Sequence, residues 1–452
     1  MTKIHLTFIL FISFGFTNQL LINPIFFNQY SSNGSDWQTE KEALNIFGAG
    51  ISVHYEKENW KIESKYLQLG FLGDIDSNLF NSSHIQSLPY IDKSKDADGY
   101  WSEFSTAKIS YHFPNLRLEI GKYDQLWGDG KRAIYLSNKA PSYPQFGFEW
   151  KIKENLKLIY FHGFLKSGID DSTSGKYYNN IGNLGRSINI KRSIAGHRIV
   201  WNLNSKLKIS ANETVVYALR GLDIHYLIPV LPFYPTENYL GDTDNLQMGF
   251  DVEIKPLIDK TIYLSFFMDE FTPEWLLKKK NHNWFAWQFG FHSDKIFKKN
   301  ISLGIEYNWT DQRVYKHKFM INDFYSHNQP LGFWAGPHAQ EFVSYITGDI
   351  LDTKIYIELS SLKRGKTKQI SIESNYQDLQ SERFDDSFEI EEKWMGSIRL
   401  ENSLFNKYLQ YQIGLNIVEF KNTYLAKSEE IKSTCKVSFE LGLYHNFNFL
   451  NY

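Results

Sequence analysis

The sequence predicts an all-β fold, a transmembrane antiparallel β-barrel of about eighteen strands whose long extracellular loops partly fold into the lumen. Three observations predict it. Apolar and polar residues alternate along most of the chain, an apolar leader stands at its start, and the connections between alternating segments are short and long in turn. A two-residue period belongs to a β-strand, because successive side chains point to opposite faces.

The alternation is clearest in two segments. In residues 301–310, Ile, Leu, Ile, Tyr and Trp point one way and Ser, Gly, Glu, Asn and Thr the other. Near the end of the chain, Val437, Phe439, Leu441 and Leu443 alternate with polar or small residues. A soluble sandwich also has strands with one apolar face, and the pattern of connections favours the barrel.

The composition limits the function. The 452 residues carry a net charge of −2, so the chain has no bulk attraction for nucleic acid and we expect no nucleic-acid partner. A mean hydropathy of −0.40 is too polar for a helical membrane protein but suits a barrel, in which half of each strand is polar. Aromatic residues make up 17%, which suits interfacial girdles or, in a rival soluble all-β protein, sugar sites. The single cysteine, Cys435, excludes an intrachain disulfide and a cysteine-based zinc site.

Residues 1–19 are predicted to be a secretory signal peptide. Lys3 and His5 precede the apolar run Leu6–Phe16, which is too short to cross a bilayer as a helix. Residues 20–452 are predicted to form the barrel. An export signal with no second apolar run fits the outer membrane of a Gram-negative bacterium, where outer-membrane lipid surrounds the wall, or a secreted protein.

Segments with two-residue alternation, or ending in turn residues, are predicted strands. In chain order they are Leu44–Tyr55, Trp60–Phe71, Tyr100–His112, Leu116–Asp124, Phe146–Ile152, Leu156–Lys166, Arg192–Leu203, Lys206–Leu219, Leu246–Lys255, Ile262–Asp269, Trp284–His292, Ile301–Trp309, Glu341–Ile350, Thr353–Leu362, Trp394–Leu400, Tyr408–Phe420 and Thr434–Phe447.

The order of short and long connections permits a parity argument. Outer-membrane barrels have short periplasmic turns, long external loops and an even number of strands. Even parity needs one more strand before Leu44, and Leu20–Tyr30 is the candidate, although Pro24 cannot donate to a ladder. The same parity assigns Ile370–Tyr376 to the long outer loop Lys363–Lys393. The C-terminal residues His445–Tyr452, rich in aromatics, resemble the signal read by the outer-membrane barrel assembly machinery.

One glycine-rich segment carries a family resemblance. Residues 121–144 read GKYDQLWGDGKRAIYLSNKAPSYP, in which Gly128 and Gly130 permit a tight turn that folds back over the barrel mouth. The segment resembles the Wzi family of outer-membrane capsule-assembly proteins, in which a strand ends in a W-G-x-G-like turn.

Two further stretches match the family in the same order. Asp244–Asp251 resembles its strand opening with Asn and G-x-D, followed by the strand Ile262–Asp269 and an acidic loop. Asn308–Glu341 resembles its long loop. The likeness covers most of residues 45–452. Two features depart from the family: its N-terminal helical segment is not evident here, and Gly-Asp-Gly stands where a proline is common.

The resemblance implies a non-enzymatic lectin that retains capsular or other surface polysaccharide, with no cofactor. Aromatic faces stack on sugars, and carboxylates and amides bind hydroxyls. The candidate binding residues are Asp124, Trp127, Asp129, Lys131, Arg132, Asn138, Asp269, Glu270, Tyr325, His327 and Glu341.

Less specific interpretations stand beside each candidate. Trp127 also suits a structural plug, and Lys131 with Arg132 suits a lumenal ion-pair network. Asp269 and Glu270 suggest a glycosidase carboxylate pair only if they flank a substrate, and no zinc-protease or calcium-loop spacing is complete, so no metal is expected. The alternative functions are a pore for small solutes, a surface assembly or secretion partner without sugar binding, and a surface glycosidase.

Overall fold

Antiparallel pairing between successive strands produces one continuous sheet. The computed structural model describes residues 14–17, 20–32, 43–73, 86–93, 99–175, 188–271, 283–296, 300–350, 352–365, 384, 390–404, 409–421 and 434–445. The wall strands are β1 (Leu20–Ser31), β2 (Leu44–Lys57), β3 (Trp60–Leu72), β4 (Tyr100–His112), β5 (Leu116–Tyr123), β6 (Tyr143–Lys153), β7 (Leu156–Asp170), β8 (Asn189–Asn204), β9 (Leu207–Ala218), β10 (Asn245–Leu257), β11 (Lys260–Glu270), β12 (Trp284–Ser293), β13 (Ile301–Thr310), β14 (Ala339–Ile350), β15 (Thr353–Gly365), β16 (Ile390–Leu404), β17 (Leu409–Lys421) and β18 (Thr434–His445).

The sheet closes on itself. Each wall strand pairs with the next, and β1 pairs with β18 from Phe26 opposite His445 to Ser31 opposite Glu440. The result is the predicted closed antiparallel barrel of eighteen strands. Closure removes the sheet edges, so neither terminal strand presents a free row of backbone donors and acceptors.

The two faces of the wall have opposite chemistry. Ile398 on β16 and Ile417 on β17 point outward and are 46% and 48% exposed, whereas their neighbours Ser397 and Asn416 point inward and are 1% and 2% exposed. The same alternation recurs around the wall. A belt of exposed aliphatic and aromatic side chains therefore surrounds a largely polar interior, as lipid contact requires.

The long connections all lie at one rim. Turns such as 58–59, 154–155 and 205–206 join strands at the other end. We call the rim with long loops the outer rim, following the usual arrangement in outer-membrane barrels. Within the described residues, no helix has the length and apolar character needed to cross a membrane.

Several short elements add to the eighteen wall strands, and two of them, Phe14–Thr17 and Asp92–Lys93, pair with β1 and β4. They are the strands Phe14–Thr17, Asp92–Lys93, Tyr325–Ser326 and Gln329–Pro330, the helices α1 (Ser172–Gly175), α2 (Ile224–Leu227) and α3 (Phe233–Tyr239), and one 3-10 turn, Met320–Asn322.

The predicted first strand is confirmed as β1. Pro24 lies opposite Ile51 of β2, and the described pairing of β1 with β18 begins two residues later, at Phe26. The segment Ile370–Tyr376 lies outside the described residues. Phe14–Thr17 pairs with β1, and the export-signal boundary at residue 19 stays a prediction.

Two long loops fold inward, as the sequence predicts. Residues 124–142, here the first plug loop, and residues 311–338, the second plug loop, share one buried cluster with the inner wall. Its aromatic members include Trp127, Tyr135, Phe267, Tyr315, Phe324 and Phe333. A smaller cluster lines the inner face of β1–β3 and includes Leu88 from the loop after β3. The lumen is therefore filled at this level by packed side chains.

The orientation of the wall predicts the effect of a charge at mid-height. Ile398→Arg places a guanidinium in hydrocarbon, and we expect it to destabilise the barrel by about 2–4 kcal/mol. Urea unfolding in lipid vesicles measures the change, with Ile398→Val as the matched control. An unchanged midpoint for the arginine variant would contradict the lipid-facing assignment.

Candidate functional site

The first plug loop enters the lumen as a narrow hairpin. Trp127 and Leu136 form an isolated antiparallel bridge at its neck. Gly128 adopts a φ of +123°, a left-handed conformation that strains any residue with a Cβ. A Cβ on Gly130 would lie 2.1 Å from the side-chain oxygen of Gln288 on β12. The glycines thus serve a turn that descends into the barrel rather than closing over its mouth.

A buried glutamate on the wall holds the tip of this loop. The two carboxylate oxygens of Glu306 on β13 accept hydrogen bonds from the backbone N–H groups of Lys131 (2.8 Å) and Arg132 (3.0 Å). Gln288 donates to the carbonyl of Arg132 at 2.6 Å. Side chains of the wall therefore make hydrogen bonds to the backbone N–H and C=O groups at the tip of the loop, as burial of a loop requires.

The Arg132 side chain links the hairpin to two more wall carboxylates. Its Nη2 lies 2.7 Å from Glu358 on β15, and its Nε lies 3.5 Å from Glu341 on β14. Glu341 also accepts from the indole N–H of Trp334, in the second plug loop, at 2.8 Å. Arg132 and Glu341 therefore tie both plug loops to one side of the wall.

Lys131 occupies the same cluster. Its ammonium lies 3.3 Å from Glu358 and donates to the Tyr356 hydroxyl, with the Tyr345 and Tyr356 rings each 4.6 Å away. Burial lowers the pKa of Lys131 to about 8, and Glu358 opposes that shift. The basic pair predicted for an acidic sugar is thus engaged by wall groups.

Asp129 reaches the opposite end of the lumen from the long loops. Its carboxylate accepts from the ammonium of Lys208, the second residue of β9, at 2.6 Å, and Lys208 also bonds Glu253 at 2.7 Å. Burial raises the pKa of Asp129, while the lysine opposes that shift. Since β9 starts at a short turn, the tip of the hairpin lies in the periplasmic half of the barrel.

Two other predicted residues pack the plug. Trp127 is 2% exposed and lies edge-on to Phe161 of β7, with ring centroids 5.3 Å apart. Asp269 on β11 accepts from the backbone N–H of Tyr315 and from Gln247 at 3.2 Å. Glu270 ends β11, and its side chain lies outside the described residues.

Four predicted residues lie nearer the outer rim. Asp124 accepts from Gln86 and Ser142, each at 2.8 Å, and burial raises its pKa against those two bonds. Asn138 and His327 are half-buried. Tyr325 is also half-buried and packs against the plug cluster, with the Lys316 ammonium 4.3 Å from its ring.

The rim residues come from three loops that hydrogen-bond to one another. The backbone N–H of Ser87 donates to the carbonyl of Lys139 at 2.9 Å, and that of Ser137 donates to the carbonyl of Leu331 at 2.8 Å. The backbone N–H of His327 donates to the carbonyl of Lys166, near the outer end of β7, at 3.0 Å. We call Gln86, Asp124, Asn138, Lys166 and His327 the outer crown. Burial, then Lys166 and Lys122, lower the pKa of His327 to about 4, so its imidazole is neutral at pH 7.

Below the crown, a cavity of about 350 Å³ separates part of the first plug loop from the wall. Its charged lining residues are Lys108, Arg117, Glu119, Asp124, Asp129, Glu149, Arg198 and Lys208. Most of these charges are paired, for example Lys108 with Glu119 at 2.7 Å and Arg198 with Asp251 at 3.0 Å. Among the described residues, no group of three His, Cys, Asp or Glu side chains has the geometry of a metal site.

Sequence reasoning missed the wall partners of the plug. Glu306, Glu358 and Gln288 were visible only as inward-facing polar residues of strands. Arg192 on β8 was also missed, and it donates to the carbonyls of Ile321 (2.5 Å), Met320 (2.9 Å) and Tyr325 (3.0 Å) in the second plug loop. A buried charge on a strand signals a partner, but the sequence does not say which loop supplies it.

The closed wall, its apolar outer belt and its inward loops define an outer-membrane β-barrel protein of a Gram-negative bacterium. No protein-family model and no curated protein matches the chain. Among solved structures, it is similar to Wzi from Escherichia coli, an outer-membrane protein involved in group 1 capsule assembly and a carbohydrate-binding β-barrel. That likeness has a TM-score of 0.55 and 13% identity, and covers 94% of this chain and 84% of that one.

Other barrels are similar as well. OccAB2 from Acinetobacter baumannii matches with a TM-score of 0.50 and 9% identity, over 95% of this chain and 97% of that one. A BenF-like porin from Pseudomonas fluorescens matches with a TM-score of 0.49 and 9% identity, over 95% and 99%. At such identities, the likeness to Wzi and OccAB2 establishes the fold.

Removing the Arg132 guanidinium is predicted to loosen the hairpin of the first plug loop. Arg132→Ala leaves Glu341 and Glu358 buried without their guanidinium, and breaking a buried ion pair in this way costs about 3–5 kcal/mol. We expect faster hydrogen exchange in residues 124–142 and a lower melting temperature. Arg132→Lys, which keeps the charge, is the control and falls between wild type and alanine. Unchanged exchange in the alanine variant would contradict the role of this cluster.

Truncating Trp127 separates a packing role from a binding role. Trp127→Ala empties a buried site and is expected to cost about 3–5 kcal/mol in the free energy of unfolding. Trp201→Ala, at a position that is 48% exposed on the outer wall, is the matched control and should cost less. Urea midpoints in vesicles compare the two variants. Equal midpoints would show that Trp127 does not hold the plug.

Proposed function

We propose that this barrel is a non-enzymatic surface protein that binds and retains capsular or other surface polysaccharide at its outer crown. The observation that carries the proposal is the division of the interior. Two loops fill the lumen with packed rings and buried ion pairs, while backbone hydrogen bonds above them join three loops and the outer end of β7. This arrangement favours a surface over a conducting path.

The chemistry of the crown suits hydroxyl-rich and acidic ligands. Asp124 offers a carboxylate acceptor for hydroxyl groups and Gln86 an amide oxygen, since the Gln86 amide N–H groups already donate to Asp124 and to the carbonyl of Ala140. The neutral His327 offers its Nε2, because its Nδ1 lies 3.0 Å from the Ser326 hydroxyl. Lys166 is exposed beside His327, and Lys122 adds positive potential there. A carboxylate on a sugar ring would find its charge complement at this edge.

The plug residues support polysaccharide binding indirectly. Trp127, Asp129, Lys131, Arg132, Asp269 and Glu341 hold the loops that present the crown, so they position the binding residues rather than contact the glycan. The likeness to Wzi in sequence motifs and in fold supports a role at the level of surface polysaccharide. Binding without turnover and without a cofactor belongs to the same proposal.

Polysaccharide retention on barrels reconstituted in vesicles tests the proposal. Polygalacturonate serves as an acidic probe and dextran as a neutral one. We expect retention of the acidic polymer, weakened about tenfold, or about 1.4 kcal/mol, by the double variant Lys166→Glu, His327→Ala. Lys206→Glu, an exposed charge reversal at the short-turn end, is the matched control and should bind like wild type.

Two results would contradict the proposal. Failure of wild type to retain either polymer removes polysaccharide binding, and equal weakening by Lys206→Glu removes the crown as its site. Single-channel recording in planar bilayers addresses the pore alternative, since steady conductance by the wild-type barrel would favour solute passage through the lumen.

A further inference from the structure

One external loop folds onto the outside of the barrel. Ile194 on β8 and Val216 on β9 face inward and are buried in the plug cluster. Their neighbours Ala195 and Val215 face outward, yet both are also 0% exposed because a separate apolar cluster covers them. That second cluster also contains Tyr217, Tyr226 and Phe233. We call residues 219–244, which provide Tyr226 and Phe233, the outer clasp.

Polar contacts seat the clasp on the wall. Glu213 on β9 lies opposite His197 on β8, and the imidazole Nε2 is 2.8 Å from the carboxylate. The same carboxylate oxygen accepts the backbone N–H of Phe233, the first residue of α3, at 2.8 Å. The Phe233 ring lies over His197 with centroids 4.3 Å apart. The clasp therefore covers an ionisable pair on the outward face.

The ends of the clasp are joined to each other. Arg220 forms two bonds to Asp244, at 2.8 and 2.5 Å, and its guanidinium lies 4.5 Å from the Tyr217 ring. The Tyr226 hydroxyl donates to Asp244 at 2.7 Å, and the Tyr160 hydroxyl on β7 donates to the Tyr226 carbonyl at 2.9 Å. These bonds fix the clasp as a folded unit against β7–β9.

The covered pair lies at the depth of hydrocarbon. Glu213 is the sixth residue after Leu207, where β9 begins at a short turn. With a rise of about 3.3 Å per residue and a tilt of about 40°, Glu213 lies roughly 15 Å above that end. The apolar band of such barrels is about 25 Å tall. Polar groups facing lipid at this depth are costly, which gives the cover a physical reason.

The outer surface of the clasp is apolar. Ile224, Val230 and Tyr239 are 69%, 70% and 82% exposed, and Leu219 and Leu222 are 71% and 51% exposed. This surface continues the belt of the wall, where Ile199 on β8 is 48% exposed. Exposed apolar groups in this number mark a contact surface. Continuity with the belt favours lipid as what covers it.

We propose that the outer clasp is a lipid-binding element whose exposed apolar side chains lie among the acyl chains of the outer leaflet. It seals the His197–Glu213 pair from hydrocarbon and presents an apolar surface in its place. The clasp differs from the crown, so this proposal stands or falls separately from polysaccharide binding.

Spin labelling tests the depth of the clasp. In a Cys435→Ser background, nitroxides are attached at Val230→Cys and Ile224→Cys, and the barrel is reconstituted in phosphatidylcholine vesicles. Collision rates with oxygen, which enters lipid, and with a water-soluble nickel chelate are measured for each. Ile199→Cys on the wall is the lipid control, and Ile258→Cys, in a short turn, is the aqueous control.

We expect both clasp labels to match the oxygen-to-nickel ratio of Ile199→Cys and to exceed that of Ile258→Cys several-fold. A ratio like that of Ile258→Cys would overturn the proposal in favour of a water-exposed loop. Low collision rates with both reagents would overturn it in favour of contact with protein, such as a second copy of the chain.

A variant of the wall contact checks the anchoring. Phe233→Ala removes the ring over His197, and nickel collisions at Val230→Cys should rise while those at Ile199→Cys stay unchanged. No rise at Val230→Cys would overturn the anchoring of the clasp by this contact.

Discussion

Every other feature of this protein depends on the need to satisfy backbone hydrogen bonds where no water is present. In hydrocarbon, an unpaired N–H or C=O costs several kcal/mol, so a sheet that crosses a membrane has to close. The ladder between β1 and β18 completes that closure. Once the wall is closed, side-chain alternation directs one set of residues to lipid and the other to the lumen, and the long loops gather at one rim.

A barrel of this width has an interior too large for the wall side chains to fill. Here two loops complete the interior, and they carry their own backbone polar groups into it. The inward-facing wall residues Glu306, Gln288 and Arg192 form hydrogen bonds with the backbone amides and carbonyls of these loops. The charged side chains of the first plug loop form ion pairs with wall residues, such as Arg132 with Glu358 and Asp129 with Lys208. The interior therefore resembles the core of a soluble protein with a polar lining, and the crown rests on it.

Strands β8 and β9 are packed against loops on both their inward and their outward faces. Their inward residues pack against the first plug loop, and their outward residues pack beneath the outer clasp. The parts of these two strands nearer the outer rim are thus buried on both sides, whereas Ile199 and Trp201, nearer the short-turn end of β8, are exposed on the outer face. The outward Glu213 and His197 would be anomalous on an ordinary transmembrane strand, and the clasp accounts for them.

The sequence alone determined the closed barrel, its number of strands and the rim of long loops. Period-two alternation and the order of connections are local, and parity then required Leu20–Tyr30 as a wall strand despite Pro24. The glycine-rich segment after β5 indicated a tight reversal over the barrel mouth, and the structure shows that this reversal descends into the lumen. These features follow from neighbouring residues, which a sequence displays directly.

Only the tertiary structure decided what the loop residues contact. Arg132 and Glu358 are far apart in the chain, and nothing near either residue specifies the other as partner. The same holds for Phe233 and Glu213, which meet because a loop folds outward rather than inward. The apolar residues of 219–244 suit either direction by composition. The choice depends on the shape and charge of the closed wall, which exists only after all the strands have paired.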